Sequence, residues 1–188
     1  MVATPSSMLA LGTVAPDFSL RDPSGALHTL ESVCESKQGL LVAFICNHCP
    51  YVKHVRRELA LLTQRWQQRG LAVVGINSND ADAYPDDAPE AMATEARTVG
   101  YLFPYLVDST QEVARAYRAA CTPDFFLFDA ERRLAYRGQL DASRPGNDVP
   151  VTGADLDAAV KAVLAGRAVD GEQHPSMGCS IKWRPSTS

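Results

Sequence analysis

Residues 40–46, Leu-Leu-Val-Ala-Phe-Ile-Cys, are apolar without interruption. A strand buried on both faces of a sheet reads this way, because neither side meets water. The run ends in Cys46-Asn47-His48-Cys49-Pro50. Pro50 suits the first turn of a helix, where its missing N–H leaves no bond unmade. Val52, Val55, Leu59, Leu62 and Trp66 then recur at helical spacing as far as Gly70, a natural C-terminal stop. Residues 71–76, Leu-Ala-Val-Val-Gly-Ile, form a second apolar run. Strand, helix and strand in this order predict a right-handed βαβ unit with parallel strands.

The rest of the chain extends this unit. Residues 15–30 read as a short hairpin: Phe18 and Leu20 alternate with polar neighbours, and Asp22-Pro23-Ser24-Gly25 supplies a turn. Residues 77–88 read as a solvated loop, with Asp80, Asp82, Asp86 and Asp87 bordering the motif. They lack the spacing of a calcium-binding loop. A helix opens at Pro89 with Met92, Ala96 and Val99 inward, and a short strand follows at 105–107. Residues 109–112 and 152–155 fit capping boxes. Residues 125–128 and 134–136 read as an antiparallel hairpin, and Leu156, Val160, Val163 and Leu164 as the inner face of a last helix. The order calls for one α/β domain over residues 12–165, helices covering both faces of the sheet. Residues 166–188 form a polar C-terminal tail, docked on the domain through Ile181 and Trp183.

Charge and composition exclude several functions. The 188 residues carry 18 Lys and Arg against 22 Asp and Glu, dispersed along the chain, for a net charge of -4. That gives no footprint for nucleic acid. No apolar run approaches the ~20 residues needed to span a bilayer. The first sixteen residues lack the charged segment of a secretory signal, so the expected compartment is the cytoplasm. The five cysteines, Cys34, Cys46, Cys49, Cys121 and Cys179, are an odd number in a chain large enough to fold without disulfides. In a reducing compartment such residues are buried, catalytic or metal-binding.

Only Cys46 and Cys49 are close in sequence, and they fall where a buried strand hands over to a helix. A helix N-terminus carries partial positive charge and unsatisfied N–H groups, so a thiolate there is stabilised. Cys46 is therefore expected to ionise easily and attack a disulfide, with Cys49 one turn inside to resolve the intermediate. His48 lies between them to tune the two thiols. Cys121-Thr122-Pro123 precedes the 125–128 strand, and a proline there is compatible with a tight, cis turn. The backbone of Thr122 and Pro123 is expected to pair with an extended substrate beside the sulfurs.

The sequence resembles the thioredoxin-like superfamily, within it the AhpC/TSA-type, peroxiredoxin-like branch. The resemblance rests on Ala15-Pro16-Asp17-Phe18 with Leu20, on Phe44-Ile45-Cys46-Asn47-His48-Cys49-Pro50, and on Cys121-Thr122-Pro123-Asp124-Phe125-Phe126-Leu127-Phe128-Asp129. It implies a thioredoxin-like fold: a central mixed sheet flanked by helices, an N-terminal β-hairpin extension, a redox-active dithiol and a cis Pro123. Two positions depart from the pattern. Leu40 stands where thioredoxins carry a buried acid, six residues before the first cysteine. Cys46 and Val42 stand where peroxiredoxins carry threonine and proline, three and seven residues before a peroxidatic cysteine at Cys49.

The reading is thus a thiol–disulfide oxidoreductase with no cofactor and no metal. Cys46 attacks, Cys49 resolves and His48 tunes. Thr122 and Pro123 shape the substrate groove. Its partners are a protein or small-molecule disulfide and a thiol reductant, with neither nucleic acid nor membrane. Cys121 and Cys179 are candidate accessory thiols; packing is the competing role for Cys121. The alternatives are a thiol peroxidase of non-standard type, or a redox-sensing or metal-binding protein without turnover. Half a zinc site or two inert thiols would give the same pair of cysteines.

Overall fold

All six residues of Gly39–Phe44 are out of water, so the apolar run becomes a central strand. Its neighbours fix the topology. The structure, a computed structural model, describes residues 3–185. Its strands are β1 (Ala3–Pro5), β2 (Ser19–Arg21), β3 (Leu27–Thr29), β4 (Gly39–Phe44), β5 (Leu71–Asn77), β6 (Tyr105–Val107), β7 (Cys121–Thr122), β8 (Asp124–Phe128), β9 (Leu134–Gly138) and β10 (Met177–Ser180). Its helices are α1 (Leu30–Cys34), α2 (Pro50–Gln68), α3 (Pro89–Val99), α4 (Glu112–Ala116) and α5 (Ala154–Leu164).

The main sheet has the order β3-β2-β6-β5-β4-β8-β9. Strand β4 is parallel to β5 and antiparallel to β8, which makes the sheet mixed. The expected hairpin forms, Ser19 opposite Thr29, and joins the sheet edge through Arg21 and Val107. Side chains alternate across β4. Leu41 and Ala43 join one core with Val55, Leu59, Trp66 and Val160, while Leu40, Val42 and Phe44 join the other with Tyr117, Phe126 and Phe128. Leu40 is fully buried in that apolar layer, so the position places no acid beneath the motif. Trp66 is core, as its stripe implies, and its indole N–H donates to Asp157 at 2.8 Å.

Both expected capping boxes fail, for the same reason. At the first, Gln111 takes the cap position with φ 64, and the buried carboxylate of Asp108 accepts the Ala114 N–H at 2.9 Å. At the second, Gly153 is the cap with φ 68, and Asp141 accepts the Thr152 and Gly153 N–H groups at 2.7 and 2.6 Å. At both helix starts a carboxylate outside the expected box accepts backbone N–H groups: Asp108, just before it, and Asp141, eleven residues before Thr152. A capping box does form between Thr29 and Ser32.

A second, small sheet has the order β1-β10-β7. It draws the expected tail back over the domain. Cys179 pairs with both Ala3 and Thr122, and Ser180 with Cys121. Ile181 is buried, and Arg115 lies 4.5 Å over the half-exposed Trp183 ring. Residues 186–188 of the expected tail lie outside the described residues. No helix of the described residues is long and apolar enough to cross a membrane.

Candidate active site

The chain crosses from β4 to α2 in five residues. The strand stops at Phe44 and the helix starts at Pro50, so Cys49, and not Cys46, is the helix cap residue. Both sulfurs are buried, Cys46 at 1% and Cys49 at 0% exposure. Thr122 touches each of them. Its Oγ1 lies 3.3 Å from Cys46 Sγ, and its carbonyl oxygen 3.1 Å from Cys49 Sγ. The Thr122–Pro123 bond is cis.

Cys49 has the better surroundings for a negative charge. The Cys46 and Cys179 sulfurs and the backbone at Val52 and Cys179 all favour its charged form. Together they outweigh burial and lower its pKa to about 4. The Thr122 carbonyl opposes them, since it accepts a proton from a Cys49 thiol but repels a thiolate. Cys46 is pushed the other way. Its bond to the Cys49 sulfur, its burial and the nearby Asp87 carboxylate all raise its pKa. The sequence places the easily ionised thiol at Cys46, whereas the surroundings of this pair favour charge on Cys49. Cys46 lies three residues before the cap of α2, outside its first turn.

Asp87 is the site residue that sequence reasoning missed. It was assigned to a solvated loop, yet its side chain has no exposure. A short 3-10 turn, Pro85–Asp87, turns it inward. Asp87 Oδ1 accepts the Asn47 N–H at 2.7 Å. Its Oδ2 lies 2.6 Å from His48 Nδ1 and accepts the Asn79 amide at 2.8 Å. The His48 ring stacks on Tyr84 at 5.1 Å and 11°. Tyr105 donates to Asn47 Oδ1 at 3.1 Å. One buried carboxylate thus fixes the two residues between the cysteines. The acidic run gives no sign that Asp80 and Asp87 are buried while Asp82 and Asp86 are exposed.

Ligand atoms of Cys46, His48 and Asp87 all lie within 4.8 Å of one another. Thiolate, imidazole and carboxylate are the donor types that zinc accepts. The other sequence candidates separate clearly. Cys121 is buried, its Sγ 3.6 Å from the Pro123 carbonyl, and burial raises its pKa. Cys34 sits in α1 and burial also raises its thiol. His54 lies 2.7 Å from Ser143 Oγ, and His28 lies 3.0 Å from Asp22. Cys179 comes fully into the site, its Sγ 2.9 Å from that of Cys49.

The groove expected to take an extended substrate is already filled. Cys121 and Thr122 pair with β10 of the same chain. Ser176 anchors one end of this strand on the Pro123 carbonyl at 2.6 Å. Lys182 anchors the other, its N–H on Asn79 Oδ1 at 2.8 Å and its carbonyl on Gln111 Nε2 at 2.9 Å.

Comparison with known proteins agrees with this geometry. A hypothetical protein, SMc02350, from Sinorhizobium meliloti 1021 is 55% identical, with a TM-score of 0.94 over 96% of this chain and 98% of its own. The thiol-disulfide oxidoreductase ResA of Geobacillus thermodenitrificans is 26% identical over 134 residues, 70% of each chain. A thiol:disulfide interchange protein from Chlorobium tepidum TLS shares the fold, with a TM-score of 0.62 at 21% identity over 82% of this chain and 98% of its own. The AhpC/TSA family matches residues 11–137. With its mixed sheet, cis-proline turn and paired cysteines, the chain belongs to the AhpC/TSA family, on a thioredoxin-like fold.

Proposed function

We propose that the protein exchanges disulfides through Cys46 and Cys49. The observation that supports the reading is Cys49 at the cap of α2, with Thr122 in contact with both its sulfur and that of Cys46. Cys49 is the resting thiolate and attacks a substrate disulfide. One substrate sulfur leaves as a thiolate and takes a proton. Cys46 then loses its proton and attacks Cys49 Sγ, releasing the second substrate thiol and closing a Cys46–Cys49 disulfide. Two electrons pass from the dithiol to the substrate, and no cofactor enters. The reverse sequence oxidises a dithiol. This order reverses the roles expected from sequence, because Cys49 is the cap residue of α2 and Cys46 lies three residues before it.

Attack consumes the charge on Cys49, and with it the strongest influence holding Cys46 protonated. His48, tied to Asp87, lies beside Cys46 as the group positioned to receive its proton. Thr122 orients both sulfurs, and Pro123 shapes the turn. The substrate is a protein or small-molecule disulfide. A cytoplasmic thiol reductant regenerates the dithiol.

The test is a model disulfide with separate variants. Cys49→Ser should lose turnover. Cys46→Ser combined with Cys179→Ser should retain substrate on Cys49 as a stable mixed disulfide. Turnover by Cys49→Ser near the unmodified rate would return the attack to Cys46.

A second reading rests on the Cys46, His48 and Asp87 cluster. A zinc ion held there would withdraw Cys46 from exchange and make the protein a metal-responsive binder. Stoichiometric zinc that survives dialysis, with Cys46 protected from alkylation, would favour it.

A further inference from the structure

The geometry points to Cys179 as a second resolving thiol for Cys49, delivered by a strand of the protein's own chain that lies where an extended substrate would pair. The inference rests on the disulfide-exchange reading and adds a third sulfur to it. The two sulfurs are 2.9 Å apart, although 130 residues separate them in sequence. A disulfide bond is about 2.0 Å long, so less than about 1 Å of approach closes it.

The placement is built rather than incidental. Cys179 is the register partner of Thr122, the residue that contacts both other sulfurs. Gly178, next to it, passes directly over the Thr122 carbonyl, and a Cβ there would overlap that oxygen. Only glycine lets β10 come this close to the cis-proline turn. Ser176 and Lys182 fasten the strand on either side. The pairing gives the groove an internal occupant with a cysteine at the position where a substrate sulfur is attacked.

The step balances as ordinary exchange. With substrate bound as a Cys49–substrate disulfide, the Cys179 thiol loses a proton to water. Its sulfur attacks Cys49 Sγ, a Cys49–Cys179 bond forms, and the substrate thiolate leaves and is protonated. The two electrons come from Cys49 and Cys179, and an external thiol later restores both. At rest Cys179 is held protonated, raised to about 12 by burial and by the Cys49 sulfur. Consuming the Cys49 charge lifts the second restraint. Cys179 therefore becomes reactive at the stage where resolution is needed. Because Cys46 can make the same attack, the two resolving thiols compete for one central sulfur.

The experiment equilibrates the full chain with oxidised and reduced glutathione, quenches in acid, and maps disulfides by mass spectrometry in the unmodified protein and in Cys46→Ser. The unmodified protein should hold Cys46–Cys49. Cys46→Ser should hold Cys49–Cys179, in about ten-fold excess over Cys49–glutathione, given the high effective concentration of a tethered thiol. If Cys46→Ser carries only glutathione on Cys49 while Cys179 remains open to alkylation, the inference is overturned, and a Cys46–Cys49 bond in the unmodified protein leaves the exchange reading standing. If the unmodified protein lacks Cys46–Cys49 and Cys46→Ser still forms Cys49–Cys179, the Cys179 pairing is upheld and the Cys46 assignment fails. Cys46→Ala repeats the test should the serine variant not fold.

Discussion

Asp87 Oδ2 lies 2.6 Å from Nδ1 of His48, and the same carboxylate accepts the Asn47 N–H through its other oxygen. The motif between the two cysteines is therefore shaped by a residue from a different loop. The carboxylate also raises the Cys46 thiol. Asp87→Asn keeps an acceptor for Asn47 but removes the charge. Cys46 should then alkylate at lower pH than in the unmodified protein. Exchange should slow about ten-fold through loss of His48 orientation, at a stability cost of about 1–3 kcal/mol for the imperfectly paired buried amide. Mapped alkylation against pH, beside a urea melt, checks both. An unchanged Cys46 profile would remove Asp87 from the chemistry.

Gly178 controls access to the pair. Gly178→Ala should push β10 off Thr122, since the added Cβ meets backbone that cannot yield cheaply. Cys46 and Cys49 should then react with a bulky alkylating reagent about ten-fold faster, while the main sheet keeps its circular dichroism. The variant should also lose the Cys49–Cys179 disulfide. Unchanged labelling would mean that β10 does not cover the sulfurs in solution.

Asp124 gives the fold a pH signature separate from the thiols. It is fully buried. Its Oδ2 accepts the Ala120 N–H at 3.3 Å, while Oδ1 has no partner among the described residues. Burial raises its pKa from 3.8 to about 8. Between these values the folded protein keeps a proton that the unfolded chain has released. Stability therefore falls as pH rises through that window. Asp124→Asn removes the proton exchange. Urea unfolding at pH 5 and pH 8.5 should show a smaller loss in the variant than in the unmodified protein. Equal losses would contradict the raised pKa.

The parts legible in sequence were those written in local periodicity. Two uninterrupted apolar runs around an amphipathic stripe define β4, α2 and β5, because burial on both faces leaves no place for a polar residue. Asp22 to Gly25 marks its turn, and Thr122-Pro123 its cis bond. What was not legible depends on distant parts meeting. Nothing distinguishes Asp87 from Asp82 or Asp86 until the Pro85–Asp87 turn buries one of them. The start of α2 is a matter of three residues, and those three decide which cysteine becomes its cap. Cys179 reaches the site only through the pairing of β10 with β7. The two failed capping boxes had suitable residues, but Asp108, one residue before the first, and Asp141, well before the second, took backbone N–H groups at the helix starts.

The central claim is that Cys46 and Cys49 form a working redox couple. The most direct measurement is a redox titration of the metal-free protein in glutathione buffers, read by mapped disulfides at each potential. The account predicts one reversible Cys46–Cys49 transition, between the potentials typical of thioredoxin and of disulfide isomerase, about -270 and -180 mV. A pair that stays reduced across the whole series, or an oxidised form that leaves Cys46 always free, would contradict it.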